Sequence, residues 1–392
     1  MSELPSSAAR PEPAAAPPHD RLTSLGWNES VAGLFEVHRE AGLMPGRVVA
    51  VHRDSSVVAT AEGDRSASVA GRLRFEALSP ADYPAVGDWV VLEPDLLAPT
   101  PGAPAEGAVI AAILPRRSTF RRNTGAPNRR GEARLANEQV MAANVDVALL
   151  VAGLDDDFSL RRMERYLAVA AACQIRAVVV LNKSDIAQNL DERLLAIQGI
   201  APATQIVMVS ARTSAGLAEL SDVLVSGATA VILGSSGVGK STLVNALLGE
   251  DRQATGEVRG SDSRGRHTTT HRELFVLPTG ALLIDTPGIR SLEVLGAEEG
   301  VDETFSDIDD LVAGCRFGNC QHNGEPGCQI AAALADGRLT HARLASYRKL
   351  EREGAHTARS TDPRAPAEEQ RRSKIIHRAV GRHMEDKYGE ER

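Results

Sequence analysis

Nine consecutive residues, Gly234-Ser235-Ser236-Gly237-Val238-Gly239-Lys240-Ser241-Thr242, fit the pattern G-x-x-x-x-G-K-[S/T]. A loop of this composition can wrap a phosphate with its own backbone N–H groups, because glycine carries no Cβ to hold the anion away. Gly234 and Gly239 are the two fixed glycines, and Gly237 adds conformational freedom. The helix that follows presents its positive end to the same anion. In this pattern the lysine, here Lys240, reaches the β- and γ-phosphates, and the next hydroxyl, Ser241, suits a magnesium ion. The loop follows an apolar run at 230–233 and precedes an amphipathic stretch at 240–248. That strand–loop–helix setting is what a chance match would lack.

Other residues complete a nucleotide site. Asn182-Lys183-Ser184-Asp185 closes the apolar run 177–181. A carboxylate at Asp185 can accept hydrogen bonds from guanine N1–H and N2–H₂, which adenine cannot supply, while the Lys183 stem packs along the ring. Ser210-Ala211-Arg212 closes 205–209 and suits a backbone contact to guanine O6. Asp285-Thr286-Pro287-Gly288 follows 281–284 and fits D-x-x-G. Asp285 is placed to hold magnesium, and the Gly288 N–H to meet the γ-phosphate. In Gly265-Arg266-His267-Thr268-Thr269-Thr270-His271, one threonine is expected to coordinate magnesium, Thr269 ahead of Thr268. The residue after Gly288 is Ile289, which cannot hydrogen-bond an attacking water. Among the polar neighbours His267 is the candidate to position that water, since its imidazole is largely neutral at pH 7. Lys240 and His267 are therefore the catalytic candidates.

The order of these motifs is informative. The guanine-reading 182–185 precedes the phosphate loop 234–242, the reverse of an ordinary GTPase. The order points to a circularly permuted GTPase, in which neighbouring surface termini are joined and the chain is reopened elsewhere. Strand-like runs at 145–151, 177–181, 205–209 and 230–233 alternate with helical spacing at 159–174, 191–197, 217–225 and 240–248. Such alternation predicts a mostly parallel sheet with helices on both faces and ligand loops where strands end. These elements place the GTPase domain at 144–295.

Upstream, residues 1–20 are rich in Pro, Ala and Ser, and 1–40 reads as a disordered tail and lead-in. Runs at 47–52, 56–59, 71–75, 87–92 and 108–114 predict about five strands, hence an OB-like barrel over 41–122 with a loop at 98–107. The net charge of −8 means that any polyanion must be met by a local patch. One candidate is the cluster Arg116, Arg117, Arg121, Arg122, Arg129, Arg130 and Arg134, leading through a basic linker at 123–143 and read as RNA-binding.

Downstream, three of the four cysteines fall in Cys315-x₄-Cys320-x-His322-x₅-Cys328. Three thiols and an imidazole so close in sequence match a closed structural zinc site, with Gly314, Gly318, Gly324 and Gly327 supplying tight turns. The fourth, Cys173, lies in a helical apolar pattern and reads as buried and structural. A zinc-binding helical domain is expected over 296–392, with a loop near 360–369. No uninterrupted apolar run reaches the roughly 18 residues of a membrane span, and no secretory leader is evident, so a cytoplasmic location and no membrane contact are expected.

The motif order, the phosphate loop, Gly265-Arg266-His267-Thr268-Thr269-Thr270, Asp285-Thr286-Pro287-Gly288-Ile289-Arg290 and the cysteine–histidine stretch together resemble the ribosome small-subunit-dependent GTPase A family, the RsgA type. Val86-Gly87-Asp88-Trp89-Val90 also looks like that family's barrel. The resemblance covers about 40–390. It implies a permuted α/β P-loop GTPase domain with an N-terminal OB-like β-barrel and a C-terminal α-helical zinc-binding domain. It further implies late maturation of the small ribosomal subunit, contact with its rRNA, and GTP hydrolysis to GDP stimulated by that subunit. A monomer is expected. The alternatives are a GTP-dependent RNA-binding module whose hydrolysis is incidental, and a permuted GTPase of large-subunit assembly.

Overall fold

The computed structural model describes residues 18–52, 55–93, 107–123, 138–250, 272–285, 301–302 and 304–361. Five strands near the N-terminus, β1 (Met44–Val51), β2 (Ser56–Ala59), β3 (Asp64–Val69), β4 (Trp89–Leu92) and β5 (Ala108–Ile113), close on themselves. β1 pairs with both β2 and β4, β3 runs parallel to β5, and the order is β1-β2-β3-β5-β4. Closure leaves no free edge. Val48, Val58, Ala67, Val90, Leu92 and Ile110 fill the interior.

The run 71–75, expected as a strand, is the helix α3 (Gly71–Glu76), and the third strand is β3 just before it. The alternation of Leu73 and Phe75 misleads, because Phe75 is 90% exposed while Leu73 alone packs on the barrel core. A parallel β3–β5 pair also needs a crossover connection, and α3 lies within it.

Two helices, α1 (Pro18–Ser24) and α2 (Glu29–Arg39), fall within the stretch read as tail and lead-in. Asn28 caps α2 by accepting from the Val31 N–H at 3.1 Å. Trp27 sits edge-on to Trp89 at 5.1 Å and to Phe35 at 5.9 Å, which fixes both helices on the barrel.

The second sheet contains β8 (Val147–Gly153), β9 (Arg176–Asn182), β10 (Gln205–Met208), β11 (Thr229–Gly234), β12 (Arg272–Val276) and β13 (Leu282–Asp285). Its order is β10-β9-β8-β11-β13-β12, parallel except for β12. Helices α4 (Leu160–Ala172) and α5 (Leu190–Ile200) bury Met163, Leu167 and Ile197 in one core. Helices α6 (Leu217–Val223) and α7 (Lys240–Leu248) bury Leu220, Leu243 and Val244 in a second core. The mostly parallel, doubly wound sheet expected from the alternation is therefore present, with α7 starting at Lys240.

The barrel and the parallel sheet are stitched together. β1 pairs with β12 through Ala50–Glu273 and Val51–Arg272. Beside this seam Arg47 is buried, and burial lowers its pKa to about 10. That still leaves it a cation at neutral pH, with the charges of Asp146 and Asp88 offsetting part of the burial, and it donates to the Leu25 and Gly87 carbonyls and, at 2.8 Å, to Thr229 Oγ1. Replacing it would take the donor from the Leu25 carbonyl and from Thr229 Oγ1, while the Gly87 carbonyl keeps Asn144 Nδ2 at 3.0 Å. Arg47→Met is expected to cost about 3 kcal/mol of stability, read from the denaturant midpoint at constant slope.

The antiparallel pair β6 (Thr119–Asn123) and β7 (Glu138–Ala143) brings part of the stretch read as linker into regular structure. Arg116 belongs to a built ion pair, not to a solvated basic run. It meets the fully buried Asp88 at 2.7 and 2.8 Å and the carbonyls of Ala81 and Tyr83. Arg117 pairs with Asp146 at 2.6 Å. Arg129, Arg130 and Arg134 lie outside the described residues.

The C-terminal region contains α8 (Ser306–Ala313), α9 (Gln329–Ala335) and α10 (His341–Thr361). It docks on α4. Arg343 of α10 donates to Glu164 at 3.0 Å and to Asp307 at 2.7 Å, its guanidinium over the Phe305 ring at 4.8 Å. Arg165 of α4 pairs with Glu353 at 2.6 Å. Cys173, half-buried after α4, has a thiol pushed up to about 11 by burial, which fits a structural role. Among the described residues no helix is long and apolar enough to cross a membrane.

Candidate nucleotide and metal sites

The structure brings the three strand-end loops together around one buried amide. Asn182, 2% exposed at the end of β9, donates from Nδ2 to the Val238 carbonyl at 2.8 Å and accepts from the Ala211 N–H at 3.0 Å. One side chain thus ties the base-reading turn to both the phosphate loop and the Ser210-Ala211-Arg212 loop. Gly239 has φ +91°, and a Cβ there would stand 2.5 Å from Asn182 Nδ2, so only glycine fits. Gly234 likewise passes the Val151 carbonyl too closely for a Cβ, at 2.7 Å. Gly237 has φ +85°, and Val238 is buried beneath the loop.

Lys240 opens α7 and donates to the Gly234 and Ser235 carbonyls at 2.7 and 2.6 Å. Its ammonium is therefore held at the loop itself. Ser241 and Thr242 occupy the first turn of the same helix, and Ser236 lies in the loop between Ser235 and Gly237. Asp285 ends β13, is 5% exposed, and stands in register with Ile232, two residues before Gly234. His267, Thr268, Thr269 and Gly288 lie outside the described residues.

On the base side, Lys183 adopts φ +65°, a left-handed conformation uncommon without glycine. Its Nζ donates to the Gly237 carbonyl at 2.6 Å and pairs with Asp155. Ser184 donates its N–H to the Val209 carbonyl at 3.1 Å. Asp185 accepts from the Ser210 hydroxyl at 2.6 Å and from Arg212 Nε at 3.1 Å. The Ser210 hydrogen bond first, and the Arg212 charge after it, hold its carboxyl below the ordinary range. Asp185 is thus ionised at neutral pH, as an acceptor for guanine must be. The Arg212 side chain is 72% exposed, so this ion pair is weak and a base edge can replace it.

The sequence reading missed a fourth contributor, the turn after β8. Asp155 neutralises Lys183, and Asp157 accepts from the Ser235 hydroxyl while pairing with Arg162 at 2.6 Å. Arg162 Nη1 also donates to Ser235 Oγ at 2.8 Å, so the start of α4 touches the phosphate loop. The signal was available: three consecutive aspartates follow β8, the strand that pairs directly with β11.

The metal cluster assembles as spaced. The ligand atoms of Cys315, Cys320, His322 and Cys328 all lie within 4.8 Å of one another. His322 Nδ1 is 3.6 Å from both Cys315 Sγ and Cys328 Sγ. A tetrahedral ion bound to sulfur at about 2.3 Å and nitrogen at about 2.05 Å sets that edge near 3.6 Å. The donor set and its spacing therefore fit a closed four-ligand metal. His322 is held at φ +58°, a strained backbone for a non-glycine residue that a ligand role would explain.

The RsgA GTPase family model matches residues 113–295. A relative from Opitutus terrae, named small ribosomal subunit biogenesis GTPase RsgA, is 48% identical over 358 residues, 90% of this chain and 95% of its own. The chain belongs to the RsgA GTPase family. It is accordingly a GTP hydrolase. A Streptomyces coelicolor protein of the same name is 41% identical over 89% of this chain and 91% of its own. Among solved structures, YjeQ from Thermotoga maritima matches with a TM-score of 0.55 and 27% identity, covering 79% of this chain and 97% of that one. The circularly permuted GTPase YloQ shares the fold at a TM-score of 0.51 and 22% identity, covering 79% of this chain and 94% of its own. The permutation read from the motif order and the site of the RsgA family thus coincide.

Proposed function

We propose that the chain binds the small ribosomal subunit and acts in its late maturation, hydrolysing GTP to GDP and phosphate with stimulation by the subunit. One observation carries the reading. A guanine-reading turn and a phosphate loop are locked together by Asn182 in a chain whose relatives, 48% and 41% identical over nearly its whole length, are named for that task.

In this reading Asp185 accepts from the guanine edge, with Asn182, Lys183, Ser184, Ser210, Ala211 and Arg212 shaping the base pocket. The backbone of Gly234, Ser235, Ser236, Gly237, Val238 and Gly239 cradles the phosphates, Lys240 neutralises them, and Ser241 and Thr242 follow on the first turn of α7. Ser241, Thr269 and Asp285 would hold magnesium, which neutralises charge on the β- and γ-oxygens when bound. Thr268 and Gly288 complete the γ-phosphate contacts, and His267 positions the attacking water; these roles rest on sequence. The thiolates of Cys315, Cys320 and Cys328 with His322 would hold zinc, supplying folding energy to the C-terminal region. The functional units are the barrel (41–122), the GTPase domain (144–295) and the zinc-binding region (296–392). The chain works as a cytoplasmic monomer, with the barrel and its arginines meeting rRNA.

Coupling follows from connectivity. β13 delivers Asp285 and leads onward in sequence to the C-terminal region, which docks on α4, which in turn touches the phosphate loop. A change at the γ-phosphate can therefore reach the C-terminal region. Affinity for isolated small subunits is expected to be at least tenfold tighter with a non-hydrolysable GTP analogue than with GDP. Equal affinities would remove the nucleotide-controlled grip.

A further inference from the structure

A cleft of about 470 Å³ opens between α4, α10 and the phosphate loop. Its volume lies within the range of ligand sites, roughly 300–1,000 Å³. Its walls carry four cations: Arg161, Arg162 and Arg165 from α4, and Lys349 from α10. Two of these are matched by carboxylates, Arg162 by Asp157 and Arg165 by Glu353. The nearby Glu164 is spent on Arg343. Arg161 and Lys349, both exposed, have no ion-pair partner among the described residues. Tyr166 also lines the cleft. It is only 5% exposed, and its hydroxyl has no hydrogen-bond partner among the described residues. The cleft therefore holds surplus positive charge from two separate structural units and an unspent hydroxyl donor aimed into it.

We propose that this cleft binds backbone phosphates of RNA, bridging the GTPase fold and the C-terminal region, and that its occupant bears on the phosphate loop through Arg162. Arg161 and Arg165 stand one turn apart on one face of α4, a spacing of about 5–6 Å between Cβ atoms. Guanidinium groups and a phenol donate together to phosphate oxygens, and Lys349 adds a point charge from the facing wall. The link to the nucleotide is one residue long, since Arg162 donates to Ser235 Oγ at 2.8 Å on the same helix. A phosphate that draws Arg162 from Asp157 alters the hold on Ser235 directly. The choice of RNA over an acidic peptide rests on the proposed ribosomal partner.

The test uses the full chain carrying Arg161→Gln and Lys349→Gln together, two positions that lie on α4 and α10 and outside the nucleotide loops. Affinity for isolated small subunits is measured with a non-hydrolysable GTP analogue across a salt series. About tenfold weaker binding at low salt is expected, with the salt slope reduced by roughly 1.4 for two lost single-strand phosphate contacts. Arg161→Lys with Lys349→Arg is expected to restore the slope, and turnover without subunits to stay at the wild-type value. Unchanged affinity and slope in the glutamine variant would overturn the proposal. If the wild-type chain itself fails to bind small subunits, the partner reading fails instead. A short single-stranded RNA then decides the cleft alone: weaker binding by the glutamine variant supports it, and equal binding overturns it.

Discussion

Lys240→Ala is expected to lower subunit-stimulated GTP turnover by about a thousandfold. The physical basis is electrostatic. The transferred phosphoryl group spreads its charge over three oxygens, and a fixed cation beside them works in a site where water is excluded. Removing a single preorganised donor of this kind costs roughly 10²–10³ in kcat, about 3–4 kcal/mol, and loss of a full charge stands at the upper end. Lys240 is already positioned, since its ammonium lies on the Gly234 and Ser235 carbonyls at 2.7 and 2.6 Å. Arginine will not substitute, because its planar fork does not replace a compact ammonium held by two loop carbonyls. The measurement is kcat at saturating GTP and small subunits. A value within threefold of wild type would mean that the loop does not grip the reacting phosphate.

Cys320→Ala is expected to produce the largest loss of structure. Cys315 follows α8 directly and Cys328 caps α9, its sulfur accepting from the Ala331 N–H at 3.4 Å. The bound metal therefore joins the end of one helix to the start of the next across a segment with little apolar content. Structural zinc contributes about 10–16 kcal/mol of apparent binding energy in small zinc modules, and one missing ligand forfeits much of it. The variant is expected to carry less than a tenth of the wild-type metal per chain. Its amide protons between 306 and 335 should exchange rapidly, while those of β8, β9 and β11 remain protected. One metal equivalent with unchanged exchange would show that Cys320 is not a ligand.

Much of this site was legible because its chemistry is local in sequence. Gly234 to Thr242 had to be a loop and a helix start, and α7 begins at Lys240. The cysteine–histidine spacing likewise prescribed its own cluster. What sequence could not show were the long-range partnerships. Arg116 reads as one of a run of basic residues until its partner Asp88, buried 28 residues away, is seen. Arg47 reads as a strand residue, yet it joins α1, the barrel and β11. Helices α1 and α2 were hidden by the proline-rich stretch before them, although Trp27 and Phe35 were the clue that this segment packs. The α3 segment is short enough that alternation and helical spacing describe it equally well, and only the crossover between β3 and β5 decides.

GTP turnover by the purified chain, alone and with isolated small or large subunits across a salt series, tests the central claim most directly. The account predicts strong stimulation by small subunits, little by large ones, and a steady decline of the stimulation as salt rises. Equal stimulation by both subunits, or none at any salt, would contradict it.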